Sequence, residues 1–455
     1  MPYVWSVLAG LVAGAAYHPI NFWPALFIGI AALYYLNRER AVKDRIKCNF
    51  LFGVGFQILT LHWIGTYVGS FAWILLVTMQ ATFFALLSFT KGPLGFASSW
   101  IAFEFLLRTF PFGGFGWSRI GFALTESPFN FLYPKVSIVG VAFIFVLIIG
   151  QIIERQFKGI ALTALFLLVI ALLPNDVHFH SKIKVALVQG GQTEKLDNTF
   201  ENSEGALSKH FLAMRDIRPK SVDLVIWPEN AVMHDPTIRR STKEEFAAEI
   251  KRINAPILVN ANLIDGTNGS LLIGVDSKQI YSKRYLTPFG EFIPLRSLVE
   301  KLSDKAAKVS GYIPGKEPYL FKTANGDFRT LICYELLSDK QARTEMSDAD
   351  FIVTQTNNAT YYKTWQLEQE LAIAQARSAE TSRQSAYVST TGVTAIINEK
   401  GRVTNAYPKY ANGALIDTVQ TRSGVTSAVK YGNWFEFTLL GLWLLLLVSR
   451  RTFRG

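Results

Sequence analysis

The stretch ALTALFLLVIALLPNDVHFHSKIKVALVQGG, residues 161–191, marks the border between two kinds of sequence in this chain. Long apolar runs fill residues 1–173 and return at 433–449, whereas residues 180–425 have the composition of a soluble protein. Half of the 455 residues are hydrophobic and 18% are charged, whereas a typical soluble domain has about 25% charged residues. These features predict an integral membrane protein that carries one soluble domain.

Eight apolar segments approach the length of about 20 residues that a bilayer-spanning helix needs. They lie at 2–18, 20–37, 48–69, 71–90, 93–110, 134–153, 157–173 and 432–449. We therefore expect about eight transmembrane helices, seven before the soluble domain and one after it, although the first pair could also be a re-entrant hairpin. The predicted domains are a transmembrane helical domain at 1–175, a soluble domain at 180–425, and a last helix with a basic tail at 430–455.

The positions of Lys and Arg predict the orientation in the membrane. The loop at 37–48, Lys91, Arg155, Lys158 and the tail at 449–455 all fall on one side if the spans alternate. Because positive charge is concentrated on the cytoplasmic side, we expect both termini in the cytoplasm and the soluble domain outside. This bias accounts for much of the net charge of +11, so a nucleic-acid partner is not expected.

The soluble domain alternates strand-like and helix-like patterns. Alternating or short apolar runs predict strands within 182–191, 222–231, 255–263, 270–286, 328–337 and 349–359, and the fourth of these breaks at Asp276-Ser277 as a hairpin would. Helical patterns lie at about 200–216, 242–253 and 364–383. This alternation predicts an α/β layered domain.

The stretch TLICYELL, residues 330–337, contains one of the two cysteines in the chain, Cys333. The other, Cys48, lies at the cytoplasmic end of a predicted span and cannot form a disulfide with it. A thiol with a free pKa of about 8.5 needs a helper to react at neutral pH. The usual helper is histidine, but none of the six histidines forms a convincing pair with an asparagine.

Carboxylates and a lysine provide an alternative to histidine. Glu229 follows the strand-like VIWP, Lys283 lies in IYSKRYL, and Glu291 lies in TPFGEF. A carboxylate base, a cation for an oxyanion and a cysteine nucleophile together suffice for acyl transfer. The sequence contains no metal-ligand cluster, phosphate loop or dinucleotide fingerprint, so neither a metal nor a cofactor is expected.

Three motifs, WPE (227–229), SKRYLTPFGEF (282–292) and CYE (333–335), occur in an order that resembles the nitrilase superfamily of carbon–nitrogen hydrolases. With the apolar segments on both sides, the whole chain is similar to the membrane branch of that superfamily, the bacterial apolipoprotein N-acyltransferases. The aromatic stretch FPFGGFGWSRIGF (110–122) adds to this resemblance.

The resemblance implies a four-layer α-β-β-α sandwich and assigns roles to individual residues. Glu229 would be the general base, Lys283 would stabilise the oxyanion, and Cys333 would be the nucleophile. Three further residues would support this catalytic triad: Glu291 and Glu335, by orienting Lys283 or shaping the pocket, and Tyr334, by donating its backbone N–H to the oxyanion.

The resemblance also implies the reaction. A membrane phospholipid would donate a fatty acyl chain to Cys333, and the resulting thioester would acylate the N-terminal α-amine of a diacylglyceryl-modified apolipoprotein. The enzyme would be a monomer in the bacterial cytoplasmic membrane. Two alternatives stay open, a membrane-tethered amidase that hydrolyses a small exported amide and a non-catalytic lipid-binding protein with a degenerate hydrolase domain.

Glu104 and Arg108 are two charged residues inside one predicted span. Charges within a membrane segment are candidates for function. Their spacing of four residues equally suits an ion pair on one helix face that stabilises the bundle.

Overall fold

The structure, a computed structural model, describes residues 1–191, 200–300 and 311–452. The chain divides into two compact units. The first contains Met1–Asn175, Thr364–Ala372 and the residues from Thr426 onward, and the second contains Asp176–Lys363 and Ile373–Val425.

The first unit is helical. Its α-helices are α1 (Pro2–Gly14), α2 (Pro24–Asn37), α3 (Val42–Thr60), α4 (His62–Tyr67), α5 (Ser70–Phe83), α6 (Gly92–Thr109), α7 (Tyr133–Ile153), α8 (Phe157–Leu172) and the C-terminal helix (Ser427–Thr452). Short 3-10 helices lie at Phe84–Ser88, Ile120–Ala123 and Pro128–Leu132.

Small residues allow the first helices to pack closely. A Cβ atom added to Gly10 on α1 would lie 2.1 Å from the carbonyl oxygen of Phe52 on α3, and one added to Gly55 on α3 would lie 2.3 Å from that of Val7. Apolar helices in a membrane associate through such close contacts of small residues, because lipid is as apolar as the helices and the hydrophobic effect does not hold them together.

The number of candidate spans is smaller than expected. A helix overlaps each of the eight predicted segments, but in the described residues only three are long and apolar enough to cross a membrane: Ser70–Ser88, Pro128–Ile153 and Ser427–Ser449. Three shorter apolar helices are Pro2–Gly14, Pro24–Asn37 and Phe157–Leu172. The expectation of about eight transmembrane helices is therefore corrected to three candidate spans, because turns shorten several segments and charged residues begin α3.

Glu104 and Arg108 do not form the ion pair that their spacing suggested. The Glu104 carboxylate lies 3.6 Å from Nε of Arg119 and accepts hydrogen bonds from Trp100 Nε1 (3.2 Å) and the Ile120 N–H (3.0 Å). Arg108 instead pairs with Glu436 on the C-terminal helix. Each charge thus connects α6 to a different part of the first unit.

We expect the Arg108–Glu436 pair to show strong coupling in a double-mutant cycle. Glu436→Leu alone leaves the Arg108 charge without its partner, and breaking a buried pair costs about 3–5 kcal/mol. Arg108→Met combined with Glu436→Leu should regain most of this loss. Thermal unfolding in detergent measures the effect, and a double variant as unstable as the single ones would contradict it.

The second unit contains the strands. They are β1 (Val177–Gln189), β2 (Leu224–Ile226), β3 (Ile257–Asn262), β4 (Asn268–Ile273), β5 (Gln279–Ser282), β6 (Phe328–Ile332), β7 (Phe351–Thr356), β8 (Ser385–Ser389), β9 (Thr394–Ile397), β10 (Val403–Tyr407) and β11 (Gly413–Gly424). The remaining helices are α9 (Phe200–Ala213), α10 (Arg240–Ile253), α11 (Arg296–Val299), α12 (Asp339–Ala342) and α13 (Gln366–Thr381), the last of which begins in the first unit.

Two sheets form the framework of this unit. Across the described ranges, one sheet has the order β11-β1-β2-β3-β4-β5 and the other the order β10-β9-β8-β7-β6. Apolar side chains of both sheets, such as Val185 and Leu187 on β1 and Val353 on β7, share one buried core. On the first sheet, side chains such as Val225 and Val259 pack with Phe246 of α10 in a second core. The predicted α/β sandwich is confirmed, and so is the hairpin at Asp276-Ser277, which joins β4 to β5.

Candidate active site

The three predicted catalytic residues each lie at or just beyond the end of a strand. Glu229 follows β2 after Trp227-Pro228, Lys283 directly follows β5, and Cys333 directly follows β6. The first two belong to one sheet and the third to the other. Strand ends leave the regular ladder and can therefore carry side chains into a common site.

Lys283 lies between two carboxylates. Its Nζ donates to Glu229 Oε1 at 2.9 Å and to Glu291 Oε1 at 2.9 Å. The Lys283 residue is 1% exposed and Glu229 is 3% exposed, so these charges are largely out of water. A buried cation is tolerated only when it is paired and hydrogen-bonded, and this geometry meets both conditions.

Burial and charge act differently on the three groups. Burial raises the pKa of Glu229, and Glu291 raises it further, while the Lys283 ammonium only partly opposes them. Burial alone would lower the pKa of Lys283, but Glu229, Glu291 and Cys333 outweigh it and hold that pKa well above the usual value. Burial also opposes ionisation of Glu291, but the Lys283 ammonium lowers the pKa of this carboxyl overall. Glu229 is thus the better proton acceptor, and Lys283 is a permanent cation.

Asn268, at the start of β4, completes this charged group and was not found from the sequence. Its Nδ2 donates to Glu229 Oε1 at 3.0 Å and to Glu291 Oε1 at 3.2 Å. Its Oδ1 accepts from Asn260 Nδ2 at 2.8 Å, which fixes the amide orientation. An asparagine before a glycine is typical of a turn, so the sequence alone does not indicate that Asn268 contacts the two carboxylates.

We expect Asn268→Asp to move the acid limb of the pH–rate profile towards higher pH. A third carboxylate beside Glu229 would raise the pKa of that carboxyl further, and a shift of about one unit corresponds to about 1.4 kcal/mol. Asn268→Leu removes the hydrogen bonds without adding charge and should lower the rate with a smaller shift. An unchanged acid limb in Asn268→Asp would contradict this coupling.

The end of strand β7 in the second sheet and the residue after it contact Glu229 and the nearby Trp227. The backbone N–H of Asn357, just beyond β7, donates to Glu229 Oε2 at 3.1 Å. Gln355 Nε2 donates to the carbonyl oxygen of Trp227 at 2.6 Å. The residues around Glu229 are therefore held by hydrogen bonds from both sheets.

Cys333 lies at a sharp change of direction. It has a φ of 48° and begins a 3-10 helix, Cys333–Leu337, which we call the nucleophile turn. A left-handed backbone is uncommon for a residue other than glycine and is often found at functional sites. The Cys333 side chain is half-buried, and neither it nor Cys48, both within the described ranges, forms a disulfide. Tyr334 follows in the same turn, and its role as an oxyanion donor stays a prediction.

Glu335 ties the nucleophile turn to the chain after the lysine. Its Oε2 accepts from the N–H of Ile332 at 2.9 Å, and its Oε1 accepts from the N–H of Arg284 at 2.8 Å. These donors belong to the neighbours of Cys333 and Lys283. Of the two roles expected for Glu335, its contacts favour shaping the site through the backbone over touching the Lys283 ammonium. Glu291, by contrast, contacts that ammonium directly.

The described site contains a proton acceptor, a permanent cation and a half-buried thiol. After Glu229 and Glu291, Cys333 also helps to hold the pKa of Lys283 above its usual value. Such a set can activate a nucleophile and stabilise the oxyanion of a tetrahedral intermediate. It is suited to acyl transfer through a thioester.

Comparison with known proteins separates the chain into the same two parts. Residues 9–150 match the family described as Apolipoprotein N-acyltransferase N-terminal domain, and residues 184–427 match the family described as Carbon-nitrogen hydrolase. Similar relatives are apolipoprotein N-acyltransferases of Wigglesworthia glossinidia brevipalpis (25% identical, covering 92% of both chains), Haemophilus influenzae (25%, covering 98% of this chain and 94% of the relative) and Coxiella burnetii (26%, covering 98% and 99%). The similarity thus extends over nearly the full length of each chain.

Proposed function

The chain belongs to the carbon–nitrogen hydrolase family, and from that premise we propose that it is a membrane N-acyltransferase that matures lipoproteins. The donor is a membrane phospholipid, and the acceptor is the α-amine of the diacylglyceryl-cysteine at the start of an apolipoprotein. The observation that carries this proposal is the Lys283 ammonium 2.9 Å from both Glu229 and Glu291. It gains support from the N-terminal match at residues 9–150, which a simple amidase does not need.

In the first step Glu229 takes the proton of the Cys333 thiol, and the sulfur attacks the ester carbonyl of the phospholipid. Lys283 stabilises the oxyanion of the tetrahedral intermediate, with the N–H of Tyr334 as a second donor. The carbon–oxygen bond breaks, and the Glu229 carboxylic acid returns its proton to the leaving lysophospholipid hydroxyl. A thioester on Cys333 remains.

In the second step the neutral α-amine attacks the thioester carbonyl, and Lys283 again stabilises the oxyanion. Glu229 accepts a proton from the amine nitrogen as the carbon–nitrogen bond forms. The carbon–sulfur bond then breaks, and Glu229 gives the proton to the Cys333 sulfur. The products are an N-acylated lipoprotein and the original enzyme, with Glu291 and Glu335 supporting the site throughout.

The placement in the cell is part of the same proposal. The apolar helices are compatible with a membrane protein, and the matched relatives are bacterial. We assign a transmembrane domain to 1–175, the catalytic domain to 180–425 and a last helix with its tail to 430–455. The Lys and Arg pattern supports a multi-pass enzyme of the cytoplasmic membrane with both termini inside and the catalytic domain outside. That the enzyme is a monomer is a further part of the proposal.

Intact-mass spectrometry tests this function. Purified protein incubated with phospholipid should gain one fatty-acyl mass that hydroxylamine removes, and Cys333→Ala should gain none. Cys48→Ala is the matched control and should acylate like the wild type. An adduct that persists in Cys333→Ala overturns the assignment of the nucleophile. A wild type that never acquires the acyl mass in native-like lipid overturns the transferase function and makes small-amide hydrolysis the next assay.

A further inference from the structure

A group of four buried charged side chains lies next to the end of the nucleophile turn. Arg377 on α13 donates to Asp339 Oδ1 at 2.7 Å and to Glu380 Oε2 at 2.8 Å. Arg343 lies 3.6 Å from the other oxygen of Glu380. All four side chains are at most 5% exposed. Two cations and two carboxylates balance, but burying them is costly, and apolar residues often stabilise a core equally well. Stability alone therefore does not explain this group.

Arg377 also contacts the backbone of the nucleophile turn. Its Nε donates to the carbonyl oxygen of Leu336 at 2.9 Å, and its Nη2 donates to that of Leu337 at 3.3 Å. These residues end the 3-10 helix that Cys333 begins. The last carbonyl groups of a helix lack partners within it, so the Arg377 guanidinium satisfies groups that would otherwise be unpaired in a buried place.

The turn needs such a restraint because of the backbone of Cys333. A left-handed residue other than glycine costs on the order of 1–3 kcal/mol and persists only when its surroundings impose it. Glu335 holds the start of the turn through the N–H of Ile332. Arg377 holds the end of the turn through two carbonyl groups. The strained residue is thus fixed from both sides.

We propose that Arg377 is a positioning residue for the nucleophile, which fixes the end of the turn and so keeps the Cys333 thiol presented to Lys283. The reaction that it serves is the proposed acyl transfer, but its effect on the thiol does not depend on that reaction. Only a rigid guanidinium fork can donate to two carbonyls and two carboxylates in fixed directions, and a lysine cannot reproduce this pattern. Asp339 and Glu380 orient the fork.

Arg377→Lys and a matched control, Arg383→Lys, test this role. Arg383 is also a buried arginine, 2% exposed, and it donates to the carbonyl oxygens of Ala349 (2.5 Å) and Gly424 (2.6 Å), which lie outside the nucleophile turn. Four quantities are measured in full-length protein in a Cys48→Ala background: the melting temperature, the rate of Cys333 alkylation by iodoacetamide, and the kcat and KM of thioester formation with phosphatidylethanolamine vesicles.

We expect Arg377→Lys to slow alkylation and to lower kcat by about 10–100-fold, because small displacements of a reacting group have effects of this size, with KM nearly unchanged. Arg383→Lys should lower the melting temperature while both rates stay within about twofold of the wild type, because rates at a site depend on local geometry. Glu380→Gln removes one orienting carboxylate without changing the arginine and should produce a smaller effect in the same direction. It keeps the test decisive if Arg377→Lys does not fold.

The role is overturned if both arginine variants lose rate in proportion to their loss of melting temperature, since Arg377 is then merely structural. It is equally overturned if folded Arg377→Lys and Glu380→Gln alkylate like the wild type. A wild type that forms no thioester refutes the proposed function, and the alkylation rates then still decide whether Arg377 positions the thiol.

Discussion

Glu229→Gln lowers the rate of thioester formation by about 10²–10⁴-fold, which is the usual contribution of a general base. Glutamine has nearly the same size and can still accept hydrogen bonds from Lys283 and Asn268, the two donors to Oε1 of Glu229. It cannot take the proton of the Cys333 thiol. The loss should therefore appear in the rate, whereas the fold and the melting temperature change much less.

The pH dependence of the same reaction gives an independent check. Because burial raises the pKa of Glu229, the base becomes protonated, and the wild-type rate falls, at a higher pH than an ordinary glutamate would cause. This acid limb should disappear in Glu229→Gln. Glu249→Gln, which alters a partly exposed ion pair with Arg252 on α10, is the control and should keep it. An acid limb that persists in Glu229→Gln would assign the base to another residue.

Lys283→Met removes the oxyanion cation and is expected to lower the rate by about 10²–10³-fold, the effect of losing one oxyanion donor. It also leaves Glu229 and Glu291 without the ammonium that they share. Breaking a buried ion pair costs about 3–5 kcal/mol of stability. This variant should thus lose both activity and melting temperature, unlike Glu229→Gln.

The stability loss of Lys283→Met should depend on pH with a defined sign. Without the ammonium, the buried carboxyls have higher pKa values in the folded state than in the unfolded chain. The folded state of the variant then binds more protons than its unfolded state. The loss of stability relative to the wild type is therefore small in acid, and it grows as the pH rises from the unfolded-state pKa values of these carboxyls through their folded-state values. Adding Glu291→Gln should restore stability but not activity. Lys322→Met, at an exposed pair with Asp327, is the control, and an equal loss there would contradict the argument.

Several residues of the candidate site could be predicted from the sequence alone, because the patterns that indicate them involve residues close together in the chain. Glu229, Lys283 and Cys333 each follow a strand-like run, and strand-like runs are recognised from neighbours two residues apart. The matches at 9–150 and 184–427 confirm the resemblance that these motifs carried. The catalytic roles themselves stay predictions that the variants above test.

The partners of buried charges could not be predicted in this way. Glu104 and Arg108 are four residues apart, yet they pair with Arg119 and with Glu436, which lies in the C-terminal helix. Likewise, Asn268 lies between two predicted strands, and the sequence does not show that its amide donates to two carboxylates. Composition also suggested eight spans, whereas the turns between helices leave three candidates in the described chain.

The sequence by itself determined the apolar segments, the α/β class of the second unit and the choice of the candidate triad, because composition, periodicity and strand-end motifs are properties of neighbouring residues. Only the tertiary structure decided that β11 pairs with β1 and that Asn268 donates to both Glu229 and Glu291. The same holds for the hydrogen bonds of Arg377 to the carbonyl groups at the end of the nucleophile turn. These contacts join residues far apart in the chain. They form because burial forces each polar group to find a partner in space.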